Sequence, residues 1–424
     1  MSTEITQVIA RRIFNSRGDE TIEVDIETRS GFGRVAVPAG ASKGLAEVKY
    51  YPKDSVLDAV RLVEISIAHR LIGMDASQQE EIDALLHEID GTDNFSKIGG
   101  NTAYAVSLCA AKATADSHHA LLFEYLGGYL AYELQYPLGN VLSGGRHAHG
   151  RAPDIQEFLV LPVGAESFWD AAKANVAFHR RVGEMLRRTR KTFTSGRSDE
   201  GAWIADINND EAFELMAQAC REVSKQLGFK CRIGIDIAAS TLWDSEHECY
   251  RYSHAGVKKT PEEQVEYVLD LIERYSLVYV EDPFHEEDYR NFTWLTKTAD
   301  DCLICGDDLF ATNVERLRHG IEQSAGNSVI IKPNQIGTLT DAWEAAKTAR
   351  EALYAPIVSH RSGDTVNAEI SHLAVAFHCP IIKTGVIEGA RIAKINELIR
   401  IEDTLRKRAK MAEIPLRALT RGNE

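Results

Sequence analysis

The sequence predicts an α/β protein in which a (β/α)8 barrel of the TIM type follows a smaller α+β domain. Three observations carry this expectation. At 424 residues the chain is too long for one small core. Its first third reads as strands and then helices, whereas the rest alternates apolar runs with helix-period segments. The later apolar runs recur at roughly 25-residue intervals, which suits one strand plus one helix.

In the first domain ETIEVDIET alternates, with Ile22, Val24 and Ile26 on one face. NSRGDE before it supplies a turn around Gly18, and GFGRVAV after it supplies a third strand. Helical patterns follow at about 54–71, 77–89 and 100–125, the last rich in alanine. The domain is placed at 1–135, because Pro137 and Gly139 in YPLGN punctuate the chain there.

The barrel is assigned to 136–424. Its expected strands are FLVLPV (158–163), RIGID (232–236), LVYVED (277–282), CLICGDD (302–308), SVIIKPN (328–334), APIVSHRS (355–362) and PIIKTG (380–385). Segments such as EEQVEYVLDLIERY and DAWEAAKTAREAL supply helices between them. Periodicity is poor between 158 and 232.

Composition excludes some functions. A net charge of −15 argues against nucleic acid as the main partner. The basic run HRRVGEMLRRTRK at 179–191 lacks interleaved aromatics and reads as a solvated helix face. No stretch approaches the ~20 continuous apolar residues of a membrane span. The N-terminus carries Glu4 and no long apolar run, so a cleaved signal is not expected and the expected location is cytoplasmic. Seven cysteines scattered over the chain do not form a disulfide framework. Cys302 and Cys305 form a C-x-x-C, but their spacing in an apolar run puts them on opposite faces of a strand.

The strand ends are polar in succession: Asp236, Glu281, Asp307, Lys332, His360-Arg361-Ser362 and Lys383. One such end is ordinarily a helix cap or a rim residue. A series argues for a site, because C-terminal strand ends of a barrel converge on one mouth. Asp236, Glu281 and Asp307 make a hard oxygen cage suited to Mg²⁺ rather than zinc. Lys332, Lys383 and Arg361 make an opposite wall suited to a small, multiply anionic substrate. Arg361 and Ser362 suit a phosphate. A lysine beside metals and another cation can have a depressed pKa and serve as general base. In VYVEDPF, adjacent Glu281 and Asp282 point to opposite faces. Glu281 is assigned to the mouth, and Asp282 to hydrogen bonds or a cation that fixes the strand end.

In order and over nearly the whole chain, SRG…TIEVD, VPAGASKG, SGGRHA, DIQEFLVLPVGA, SDEGAW, DIAAS, VEDPFHEEDY, GDDLFATN, IKPNQIGTLT, VSHRSGDT and IKTG resemble the enolase (phosphopyruvate hydratase) family. VEDPF, GDDL, NQIG and SHRSG are specific together. The resemblance implies a modified barrel with irregular first units under an N-terminal capping domain. It also implies Mg²⁺-dependent elimination of water from 2-phosphoglycerate to give phosphoenolpyruvate, with two ions per site. Asp236, Glu281 and Asp307 are then expected to hold the first metal, and Ser42 to contribute to the second as its loop closes. Lys332 is expected to abstract the C2 proton, and Glu200, with Glu157 beside it, to assist departure of the C3 hydroxyl. Lys383 is expected to stabilise the substrate carboxylate as it becomes an enediolate. Arg361 and Ser362 are expected to bind phosphate, while His147, Gln156, His360 and Ala41 line the pocket. A homodimer or a multiple of dimers is implied as well.

The chemistry is consistent with that division. A proton alpha to a carboxylate is weakly acidic, because its loss puts two negative charges on one carboxyl group, and metal ions offset that charge. The loop PAGASKG, flanked by Gly40 and Gly44, reads either as a moving lid or as a plain surface turn. Departures from the family pattern are Ala39, Lys43 and Ala46 in that loop, Ala202 and Trp203 beside Glu200, the exchanged pair Asn15 and Asp19 with Glu20, and VIEGARIAK after IKTG. Two alternatives stay open: a paralogue acting on a related β-hydroxy acid phosphate, and a non-catalytic binding protein on the same fold.

Overall fold

The alternation in ETIEVDIET builds the middle strand of an antiparallel sheet made of β1 (Ile5–Phe14), β2 (Glu20–Thr28) and β3 (Phe32–Ala36). The computed structural model describes residues 2–40, 44–148 and 150–416. Ile22, Val24 and Ile26 are buried against the alanine-rich helix α1 (Gly100–Ser117), whose small side chains let it lie close to β2 and β3. The helical pattern expected to run to 125 breaks after Ser117, where His119 takes a left-handed backbone conformation, and resumes at Leu122–Gly127.

Eight strands close the barrel in chain order: β4 (Tyr136–Ser143), β5 (Glu157–Leu161), β6 (Arg232–Asp236), β7 (Tyr279–Glu281), β8 (Leu303–Gly306), β9 (Ser328–Ile331), β10 (Ala355–Ser359) and β11 (Ile381–Gly385). Two expectations are corrected here. Pro137 and Gly139 do not punctuate the chain but lie inside β4, which pairs in parallel with β11. Glycine is required at 139 because a Cβ there would stand 2.7 Å from the Asn175 side chain of helix α2 (Phe168–Thr189). The run taken as strand 158–163 is Glu157–Leu161, and it lies antiparallel to both β4 and β6. Two helices, α2 and α3 (Asn209–Leu227), follow it before β6, which accounts for the poor periodicity between 158 and 232. From β6 onward each strand pairs in parallel with the next.

The barrel interior is apolar below the mouth, with Leu138, Leu159, Tyr279, Ile330, Ile357 and Ile381 packed together with Ile414 and Leu416. Cys305 belongs to this inner layer and Cys302 to the outer one between strands and helices, as their spacing requires. All seven cysteines are free. The basic run on α2 is engaged by acids, Arg181 with Glu184 and Glu222 and Arg190 with Glu211. Among the described residues no helix is long and apolar enough to cross a membrane.

Candidate active site

Strand register assembles the acids. Parallel pairing sets Glu281 of β7 beside Asp236 of β6, and antiparallel pairing sets Glu157 beside Asp236 on the other side. Glu157 thus reaches the mouth from the start of its strand, because β5 runs backwards. Lys383 of β11 crosses the mouth to this group, its Nζ lying 3.0 Å from Asp236 Oδ2, 2.7 Å from Glu281 Oε2 and 3.0 Å from Glu157 Oε2. Tyr279 donates its hydroxyl to the same Glu281 oxygen at 2.5 Å. Lys332, just past β9, donates to Asp307, just past β8, and Gln335 Nε2 donates to Asp307 Oδ1 at 3.0 Å.

Glu157, Asp236, Asp307, Lys332 and Lys383 line one small cavity of ≈ 40 Å³ with Glu47, His147, Gln156, Glu200, His360, Arg361 and Ser362. Glu281 lies buried beneath it. Ala41 and Ser42, together with Lys43, lie outside the described residues. The chain therefore brings every other expected site residue to one place.

Burial pushes the Glu281 carboxyl well up, and neighbouring Asp236 adds to the effect. Burial opposes the charge on Lys383, but Asp236, Glu157 and Glu281 outweigh it and hold the ammonium well above its usual range. Lys332 behaves alike: desolvation is overridden by Asp307, so its pKa is raised. The depressed lysine pKa expected from sequence is thus not a property of the chain's own charges, because each lysine sits on a carboxylate.

The three acids meet at one mouth but not at one point, since Lys383 bridges Asp236 and Glu281 while Lys332 takes Asp307. A divalent cation nevertheless fits this set. Acidic lining residues Glu47, Glu157, Glu200, Asp236, Asp307 and Asp308 exceed the cationic Lys332, Lys383 and Arg361. Glu281 Oε1 is buried without a hydrogen-bond donor. All the donors are hard oxygens, which favours Mg²⁺ or Mn²⁺ over softer metals.

On the far side Glu200 and Glu157 face each other with His147, their ligand atoms all within 4.8 Å. Burial disfavours charge on His147, yet Glu200 and Glu157 override it and hold the imidazole up at about 9. Burial opposes ionisation of Glu200, but the flanking His360 and His147 hold its carboxyl well below the usual range. Burial pushes His360 down to about 4, so His147 is the imidazole that carries the proton at neutral pH. Glu157 is pushed up by burial and by Glu200. Asn140 Nδ2 donates to Glu200 at 2.9 Å, and a Cβ at Gly385 would lie 2.2 Å from the Glu200 carbonyl, so β11 needs glycine there to seat the acid. Trp203 anchors the same hairpin, stacking on His179 at 4.7 Å and donating to its carbonyl at 2.8 Å.

Arg361 and Ser362 leave β10 in a loop held by the fully buried Arg391, which donates to the carbonyls of both and to Asp364. Arg391 stands in VIEGARIAK, so that departure from the family pattern keeps the cation the loop requires. Ala39 and Gly363 exchange backbone hydrogen bonds of 2.7 and 2.8 Å, tying the start of PAGASKG to the same loop.

Asp282 turns away from the mouth, as expected, with φ of 40°, and accepts from the backbone N–H groups of Asp307 and Asp308 at 3.0 and 2.8 Å. Asp282→Ala strands two buried donors and leaves alanine at positive φ. It is expected to lower stability by roughly 2 kcal/mol or more in urea unfolding. It should also weaken Mg²⁺ binding in a titration, because Asp307 loses its anchor.

Sequence reading missed Glu47, Asn140, Gln335 and Arg391. Glu47 lies three residues past PAGASKG, and its nearness to that motif was the available signal. The neutral amides had none.

Residues 5–126 match the family model described as enolase, N-terminal domain, and residues 131–418 match that described as enolase, C-terminal TIM barrel domain. The chain is 50% identical over 416 residues to the enolase of Methanothermobacter thermautotrophicus, an alignment spanning 98% of this chain and 100% of that protein. It is 50% identical over 406 residues to the enolase of Methanosphaera stadtmanae, spanning 96% and 98% of the two chains. The enolase of Archaeoglobus fulgidus is 46% identical over 405 residues, spanning 95% and 98%.

Proposed function

The chain belongs to the enolase family, and on that premise we propose that it dehydrates 2-phosphoglycerate to phosphoenolpyruvate. The observation that supports the reading most is a single cavity lined by a lysine for C2 (Lys332), a carboxylate pair for C3 (Glu200 and Glu157) and an arginine for phosphate (Arg361).

In this reading Arg361 and Ser362 hold the phosphate and Lys383 faces the substrate carboxylate. Lys332 removes the C2 proton to its Nζ. The C3 hydroxyl leaves on the side of Glu200 and Glu157, where the proton held on His147 is the available reserve. Gln156 and His360 complete the walls, and Ala41 is assigned to the substrate by the family resemblance alone. Asp236, Glu281 and Asp307, with Ser42, would hold two Mg²⁺ ions, whose charge would offset that gained by the substrate carboxylate and would depress the pKa of a neighbouring ammonium.

The same reading takes 1–135 as the cap and 136–424 as the catalytic barrel, supported by the opening of β4 at Tyr136. A cytoplasmic homodimer, or a multiple of dimers, accompanies it, and sedimentation reads the assembly. A paralogue with another substrate, or a retired fold, has nothing to support it, since base, acids and phosphate arginine are all present.

The purified chain with 2-phosphoglycerate and Mg²⁺ is expected to form phosphoenolpyruvate, to stop on chelation with EDTA, and to resume when Mg²⁺ is restored. No phosphoenolpyruvate under those conditions overturns the reading.

A further inference from the structure

We propose that Glu47 is a positioning residue for phosphate recognition, fixing the Arg361 guanidinium from the capping side; the inference rests on the proposed reaction. Both side chains are about 3% exposed, and Arg361 Nη2 lies 3.1 and 3.0 Å from the two Glu47 oxygens. Arg361 is also tethered by Nη1 to Asn334 Oδ1 at 3.1 Å, so both of its terminal nitrogens are held. An arginine on a flexible stem loses rotamer freedom when it binds an anion, and a guanidinium already clamped has lost it beforehand.

Glu47 is also held by groups other than Arg361, although one of them, the Tyr50 hydroxyl, itself accepts from Arg361 Nη2. Glu47 Oε1 accepts from Gly44 N at 3.2 Å and from Gln335 Nε2 at 3.3 Å, and Oε2 accepts from the Tyr50 hydroxyl at 3.0 Å. Gln335 Nε2 also donates to Asp307, so one amide spans the phosphate clamp and a proposed metal ligand. Gly44 closes PAGASKG, so a carboxylate three residues beyond it links the end of that segment to Arg361 directly and to Asp307 through Gln335. The rival role for such a carboxylate is a competitor that occupies Arg361 in place of phosphate. The Gly44 and Gln335 donors favour positioning, because they hold Glu47 where it is whatever binds the arginine.

The test uses the full chain and Glu47→Gln, which keeps shape and removes charge. The KM for 2-phosphoglycerate is expected to rise about tenfold or more, with kcat changed by less than about threefold. The inhibition constant of inorganic phosphate should rise in parallel, a readout that a purely structural residue leaves alone. Glu47→Asp is expected to recover part of the loss. Tyr50→Phe should give a smaller shift in the same direction, and these two variants decide the matter if Glu47→Gln does not fold. A folded Glu47→Gln with KM and phosphate inhibition unchanged, or with both tightened as a competitor requires, overturns the inference. Failure of the wild type to make phosphoenolpyruvate overturns the proposed reaction instead. Direct binding of inorganic phosphate to wild type and variant then still decides the role of Glu47.

Discussion

Lys332→Ala is expected to lower kcat for 2-phosphoglycerate dehydration by roughly 10²- to 10⁴-fold, the range that a positioned proton-transfer group supplies. Exchange of the C2 proton with deuterated solvent should disappear with it, since no other described amine lies at that strand end. Loss of the ammonium also frees Asp307 from its closest cation, so Mg²⁺ binding should survive and can tighten. A variant that retains C2 exchange at the wild-type rate removes Lys332 from the role of base.

Lys383→Met carries the second large effect, on stability as well as turnover. Methionine keeps most of the volume but leaves Asp236, Glu281 and Glu157 facing one another without the ammonium that now compensates all three. Breaking a buried ion cluster in this way costs about 3–5 kcal/mol. The pH dependence has a definite sign. Glu281 is already raised in the fold by burial and by Asp236, and removing Lys383 raises it further. A carboxylate raised on folding stabilises the fold below its unfolded pKa, and that stability is lost as pH rises through the folded value. The deficit of Lys383→Met against wild type should therefore shrink as the pH of urea unfolding is lowered from about 8 to about 5. Added Mg²⁺ should narrow it at the upper end. A deficit that grows on acidification contradicts the assigned cluster.

The barrel was legible from β6 onward because each strand is a short apolar run with a polar residue where it meets the mouth, and the parallel register brings those ends together. Its first strand was not, and the second was legible as a run but not in its direction. In β4, Pro137 and Gly139 imitate a loop signal, whereas the glycine answers a close approach by Asn175 that only the packed helix reveals. In β5 the direction is reversed, so its polar residue, Glu157, stands at the start of the run rather than at the end. Periodicity carries no information about strand direction. The site divides in the same way. Charged residues at strand ends announce themselves, but Glu47 meets its arginine across 314 positions, and Gln335 and Asn140 act through neutral amides that could serve any buried donor. The chain's own charges raise both lysine pKa values because each ammonium sits on a carboxylate, a pairing sequence does not show, whereas the expected depression belongs to a lysine beside bound metal.

The seven free thiols have a use outside chemistry of the site. Only Cys220 is partly accessible, while the other six are buried across the capping domain, the strands and the packing layer behind them. Burial pushes most of these thiols well up, so they remain unreactive while the fold is intact. A thiol-directed label should accordingly attach first at Cys220, slowed there too because burial raises that thiol, and then wait on opening of each region. The order in which the remaining six are tagged becomes a clock for how the cap and the barrel come apart.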